Sequence, residues 1–213
     1  METSQNIKTD ILTSYIDITL TSGAKPASEF KFCKDSGFSE EQFYNHFNSL
    51  NSVENYFWSY LLEETKKTVN RDVQETSNAH HNLLSFYYTL FENLKLNRSY
   101  ILFLSSSQRS KIELDMKIRH IFIPHLENLG STLHNPLQEI SESLSNKLTK
   151  EGLWLQFISV FHFWIHDESL GFEKTDAFIE KSVRLGVDLS ESIPSESILD
   201  FGKFIYKEFR KFI

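Results

Sequence analysis

Residues 27–53 read ASEFKFCKDSGFSEEQFYNHFNSLNSV, and the punctuation of that stretch decides the fold. From Ser28 to Ser36 it sets Phe30, Phe32 and Cys33 among lysines and closes at Gly37. A glycine there can take the left-handed conformation that ends a helix. Ser39-Glu40-Glu41-Gln42 follows, with Ser and Gln at the spacing of a capping box, able to satisfy two free backbone donors at the start of another helix. Residues 28–47 are therefore expected to form two short helices joined by a tight glycine turn.

Helical spacing extends on both sides. Upstream, Ile7, Ile11, Leu12, Tyr15 and Ile18 recur at helical intervals and stop at Thr21-Ser22-Gly23, which predicts a helix over about 5–22. Downstream, Val53, Phe57, Tyr60, Leu61 and Glu64 carry a longer helix to about Arg71. Further helices are expected over 78–95, 98–105, 108–128 with a break near Pro124, and 136–149, where Asn135-Pro136 supplies an N-cap and an N1 proline. Residues 154–165 are apolar almost all round, the signature of a central buried helix. Two last helices, 174–190 and 195–212, flank Pro194, and the isolated Gly186 and Gly202 inside them suggest close helix approach.

Composition agrees with an all-α class. The 213 residues are 40% apolar and 24% charged, enough to bury roughly 70% of the unfolded surface. Nineteen Phe, eight Tyr and three Trp against seven Gly and four Pro disfavour a turn-dense β-sandwich. The single Cys33 excludes an internal disulfide and a CxxC metal site. No secretory or transit pattern opens the chain and no apolar run approaches the roughly 18 residues of a membrane span, so a cytoplasmic location is expected. A net charge of −7 weighs against partners recognised by bulk positive charge.

The 27–53 stretch, with the helix before it, resembles the DNA-binding region of the tetracycline repressor (TetR) family. The shared features are Ser28 opening the second helix, the turn Gly37, Phe38 and the capping Ser39, then Phe43-Tyr44-Asn45-His46-Phe47. Phe32, Phe38, Phe43 and Phe47 would pack the pair against the first helix. That leaves Tyr44 and His46 at the outer end, where a phenol and an imidazole can reach phosphate oxygens. The resemblance implies a helix-turn-helix domain over 1–48, DNA-binding residues Ser28, Lys31, Ser39, Gln42, Tyr44 and His46, and a helical ligand-binding and dimerisation domain over 49–213. The chain departs from the family pattern in charge. Glu40-Glu41 stand where Lys-Gly is usual, and Asn48-Ser49-Leu50 where Lys-Ser-Lys is usual. Across residues 1–60 four lysines face eight carboxylates, a net −4, which opposes the phosphate contacts that supply most affinity for duplex DNA.

Residues 161–189, FHFWIHDESLGFEKTDAFIEKSVRLGVDL, are similar to the C-terminal helices of the lipid-binding ubiquinone-biosynthesis accessory proteins, which share the TetR architecture. The shared features are Trp164, Asp167, Ser169, Thr175, Phe178, Ile179, Lys181 and Arg184. The resemblance implies an apolar ligand tunnel and a final amphipathic helix at a membrane surface. Ile198, Phe201, Ile205 and Phe212 form one stripe there, and residues 201–213 carry a local +3. Such a helix fits an anionic surface, and more commonly a packed core or dimer contact with snorkelling lysines.

Aromatics are dense between Phe86 and Trp164, and Tyr88, Phe91, Tyr100, Phe103, Phe122, Phe157 and Phe161 are the candidates to line an apolar ligand cavity, with core packing as the alternative for each. His162 and His166 lie four apart, but no third ligand can be placed and no metal is expected. No nucleophile turn, phosphate loop or cofactor motif occurs, so no enzyme is expected. Taken with the resemblance, the expectation is a homodimeric transcriptional regulator that binds operator DNA and responds to an apolar small molecule. The alternative is a lipid- or isoprenoid-binding protein of the same fold that has lost DNA binding.

Overall fold

The computed structural model describes residues 2–72, 78–106, 108–130 and 142–192. Among them the chain is helical, with no strand: α1 (Glu2–Ser22), α2 (Glu29–Ser36), α3 (Glu40–Tyr44), α4 (Leu50–Asp72), α5 (Ala79–Lys95), α6 (Arg98–Leu104), α7 (Gln108–Gly130), α8 (Glu142–Ile165), a 3-10 turn at Leu170–Phe172, and α9 (Glu173–Ser192). The N-terminal punctuation acts as its chemistry dictates. Gly23 takes φ +67° just after α1. Ser28 caps α2 by accepting from the Lys31 amide, and Gly37 ends it at φ 81°, ψ 3°. Ser39 and Gln42 satisfy each other's backbone donors at the head of α3.

The described residues divide into two compact units. The first comprises α1 to α4 as far as Arg71, Thr89–Lys95 of α5, α6, and Gln108–Ile121 of α7. Its core is a run of aromatic rings. Tyr15 packs on Phe32 at 6.0 Å between centroids, Phe32 on Phe43 at 5.7 Å and Phe43 on Phe47 at 6.1 Å. Tyr100 of α6 lies edge-on to Tyr15 and to Phe57 of α4. Each such buried aromatic contributes roughly 1.5–3 kcal/mol over an exposed one, so the short α2 and α3 are held by tertiary burial. Phe38, on the turn, is only half-buried.

The second unit comprises α5 up to Tyr88, Phe122–Gly130 of α7, α8 and α9. Its core is Phe86, Tyr87, Phe122, Leu126, Phe157, Phe161 and Trp164 with Ile179 and Val183 of α9.

Four details differ from the sequence-based expectations. α7 runs unbroken through Pro124; a proline removes one backbone donor and clashes one turn back, which a helix packed along its length absorbs. Residues 142–165 form one helix rather than two, because Gly152, between the polar first half and the apolar second half, keeps helical geometry at a cost of about 1 kcal/mol. α8 is not buried all round within its unit, since Leu155 is 65% and Phe163 40% exposed. A side chain at Gly186 would meet nothing within 4 Å, so no close approach is made there within its unit. The close approach falls at Gly130, where a Cβ would sit 2.5 Å from a methyl of Leu153. The expected helix over 195–212, Gly202 and residues 136–141 lie outside the described residues.

Candidate functional site

On the N-terminal unit, most of the residues expected to face DNA are first occupied with holding the helices together. Ser28 Oγ accepts from the Lys31 amide at 3.2 Å. Ser39 Oγ accepts from the Gln42 amide at 3.0 Å, while the Ser39 amide donates to Gln42 Oε1 at 2.9 Å. The Lys31 ammonium pairs with Asp35 one turn on, at 2.7 Å. Tyr44 projects into solvent, 53% exposed, and the partial desolvation of its hydroxyl, with the nearby carboxylates of Glu29 and Glu40, pushes it above the usual tyrosine range. His46 turns its Nδ1 to the Gln42 carbonyl at 2.9 Å. With Nδ1–H donating there, Nε2 becomes a donor only in the imidazolium form. The acidic residues also have structural duties: Glu29 Oε1 accepts from the Leu50 amide at 3.2 Å, capping α4 from α2, and Glu40 and Glu41 sit in the first turn of α3, the favourable end of its dipole.

Beneath that surface lies a buried carboxylate that the sequence reading passes over. Glu54 of α4 is 6% exposed. Its Oε1 accepts from the Tyr15 hydroxyl at 2.8 Å and pairs with Lys25 at 2.6 Å, and its Oε2 pairs with Lys117 of α7 at 3.0 Å. Lys117 also donates to Asn51 Oδ1 at 2.8 Å. Burial pushes the Glu54 carboxyl up, but the bonds from Lys25, Lys117 and Tyr15 outweigh it and hold the group below the usual range. The Tyr15 hydroxyl is driven up by burial and by this same carboxylate. One sequence signal does exist: Glu54 begins the stripe that continues through Trp58, Leu61 and Thr65, so a lone carboxylate stands on an apolar face.

In the second unit, Asp167, Ser169 and Thr175 come together as one corner. Asp167 is 5% exposed. Its Oδ1 accepts from the amide and hydroxyl of Ser169 at 2.8 and 2.6 Å, and its Oδ2 from the amide and hydroxyl of Thr175 at 2.9 and 2.6 Å. Desolvation raises its carboxyl, and these four donors outweigh that and hold it well below the usual range. The corner fixes the first turn of α9 behind Gly171 and Phe172, both at positive φ. His166 Nδ1 lies 2.8 Å from the His162 carbonyl, and no cluster of three metal-ligating side chains occurs among the described residues.

The ligand-lining candidates fall in both units. Phe122, Phe157 and Phe161 are buried together in the second, with Phe157 5.3 Å from Phe122 and 6.3 Å from Phe161, and Trp154 and Tyr87 beside it. Tyr88 lies at the surface of the same unit, where burial and the carboxylates of Glu180 and Asp176 raise its hydroxyl. Phe91 and Tyr100 are buried in the first unit, and Phe103 is half-buried there, beside a cleft also lined by Trp58 and Leu114. α8 and α9 expose Leu155, Phe163 and Leu185, and the Phe163 ring packs tilted against Phe178 at 4.9 Å between centroids.

Among the described residues no helix is long and apolar enough to cross a membrane. No curated protein matches the chain. Residues 82–205, more than half of the chain, match the family model of the tetracyclin repressor-like C-terminal domain, a family typically of regulators rather than enzymes. With an all-helical architecture on which that match falls, the chain belongs to the tetracycline repressor-like family.

Proposed function

We propose that this chain is a cytoplasmic, homodimeric transcriptional regulator. Residues 1–48 act as a helix-turn-helix domain reading operator DNA, and residues 49–213 bind an apolar small molecule and dimerise. The observation that carries the reading is the doubly capped α2–α3 pair, turned at Gly37, with Tyr44 and His46 at its outer end. Tyr44→Phe and His46→Ala each weaken binding across all sequences. Glu40→Lys strengthens it and steepens the salt dependence by about one unit, since each added phosphate contact releases about one counterion. Titration of duplex DNA at several salt concentrations measures both. Undetectable binding at low salt by the parent and by Glu40→Lys alike overturns the reading.

A second reading, a lipid- or isoprenoid-binding protein of this fold without DNA binding, is favoured by Lys31 being paired with Asp35 and by the carboxylates about Tyr44. Both readings hold an apolar ligand in the C-terminal domain. Long-chain acyl or isoprenoid compounds therefore raise the melting temperature where small polar metabolites do not, a gain of about 2.7 kcal/mol at a hundredfold excess over Kd. A thermal-shift screen and native mass spectrometry that both find no apolar ligand would remove this part of either reading.

A further inference from the structure

Glu54 receives partners from three segments other than its own helix: Tyr15 from α1, Lys25 from the α1–α2 connection and Lys117 from α7. A buried ion pair adds little stability over well-packed apolar side chains of the same volume. Removing one partner is expensive, because it strands a charge. Such a node therefore specifies geometry more than it contributes stability. The two carboxylate oxygens are divided between its partners. Oε1 serves Lys25 and Tyr15, on the side of the three-helix unit, whereas Oε2 is met by Lys117 alone among the described residues. Lys117 grips α4 twice, through Glu54 and Asn51. It also borders an open cleft with Met116, His120 and Asn55, which leaves the ammonium room to swing off the carboxylate. α4 is held by the same three-helix unit one turn earlier, where Glu29 caps Leu50.

We propose that Glu54 and Lys117 are positioning residues: their contact sets the pose of α1–α3 on α4 and α7, and withdrawal of Lys117 releases it. Lys117 rather than Lys25 is the release element because it alone meets Oε2 among the described residues, whereas Oε1 keeps Tyr15 when Lys25 leaves. Once Lys117 leaves, Oε2 of the buried Glu54 has no protein partner among the described residues, and the three-helix unit loosens to admit water. The consequence for DNA affinity rests on the regulator reading; the effect on the pose does not.

Lys117→Met keeps the aliphatic stem and removes the charge. Hydrogen exchange of this variant in the full chain is expected to quicken about tenfold for amides of residues 28–54 and to stay unchanged in α8 and α9, with Lys117→Arg restoring the parent rates. Lys25→Met, at a half-exposed side chain, loosens the same residues through Oε1 and serves should Lys117→Met not fold. At equal helix content, affinity for duplex DNA at low salt falls about tenfold in Lys117→Met. Unchanged exchange over 28–54, or equal quickening in α8 and α9, overturns the proposal. DNA affinity that stays at the parent value while exchange quickens overturns the positioning role. A parent that binds no DNA, with the exchange pattern intact, overturns the regulator reading and leaves the joint standing.

Discussion

Asp167 shows how much one side chain can organise. Four donors converge on it, two amides and two hydroxyls from Ser169 and Thr175, and Asp167→Asn keeps the shape while removing the charge and half the acceptor capacity. A loss of roughly 2–3 kcal/mol in urea unfolding at neutral pH is expected, the scale of hydrogen bonds to a charged group. The pH dependence has a definite sign. A carboxyl lowered in the folded state contributes its full stability above the unfolded value, about pH 4, and loses it as pH falls through the lower folded value. Parent and Asp167→Asn therefore converge in stability on acidification below pH 4; a gap that stays constant from pH 7 to pH 3 would contradict this. These three residues stand out in the sequence only through resemblance, because their pairing depends on a turn whose positive φ at Phe172 no local pattern announces. Glu54 was still less legible, since its partners Lys25, Tyr15 and Lys117 lie 29, 39 and 63 residues away along the chain.

Among elements, α2 and α3 were the most legible, because hydroxyl caps and glycine turns act within three or four residues and need no tertiary information. α8 was less so: the apolar pattern leaves 150–153 between two expected helices, yet one glycine with helical geometry, Gly152, does not end a helix. The glycines make a paired test. Gly37 sits at φ +81° with open space where a Cβ would be, so Gly37→Ala incurs backbone strain alone, about 1 kcal/mol of lost stability. Gly186 has helical geometry and open space, so Gly186→Ala gains about 1 kcal/mol by favouring α9. Thermal or urea unfolding checks both, and effects of the same sign at the two positions would refute the distinction.

For the molecule as a whole, the proposed two-fold dimer needs one self-matching apolar patch, and Leu155, Phe163 and Leu185 are the large apolar side chains that α8 and α9 leave exposed within their unit. A dimeric mass by light scattering at micromolar concentration is expected, and Leu155→Asp with Phe163→Asp shifts it to monomer while helix content stays intact. The two compact units, each assembled from separate stretches of chain, also constrain how such a protein can be recombined. Tyr100 of α6 packs on Tyr15 of α1, and on the proposal above Lys117 of α7 acts on α1–α3 through Glu54. On the regulator reading, a swap of the first 48 residues for those of a relative would carry the proposed DNA-binding segment to a foreign socket. New specificity is more readily reached by point changes on the exposed side of α3 than by exchange of whole modules, and any working chimera must bring α6 and the first half of α7 along with that segment.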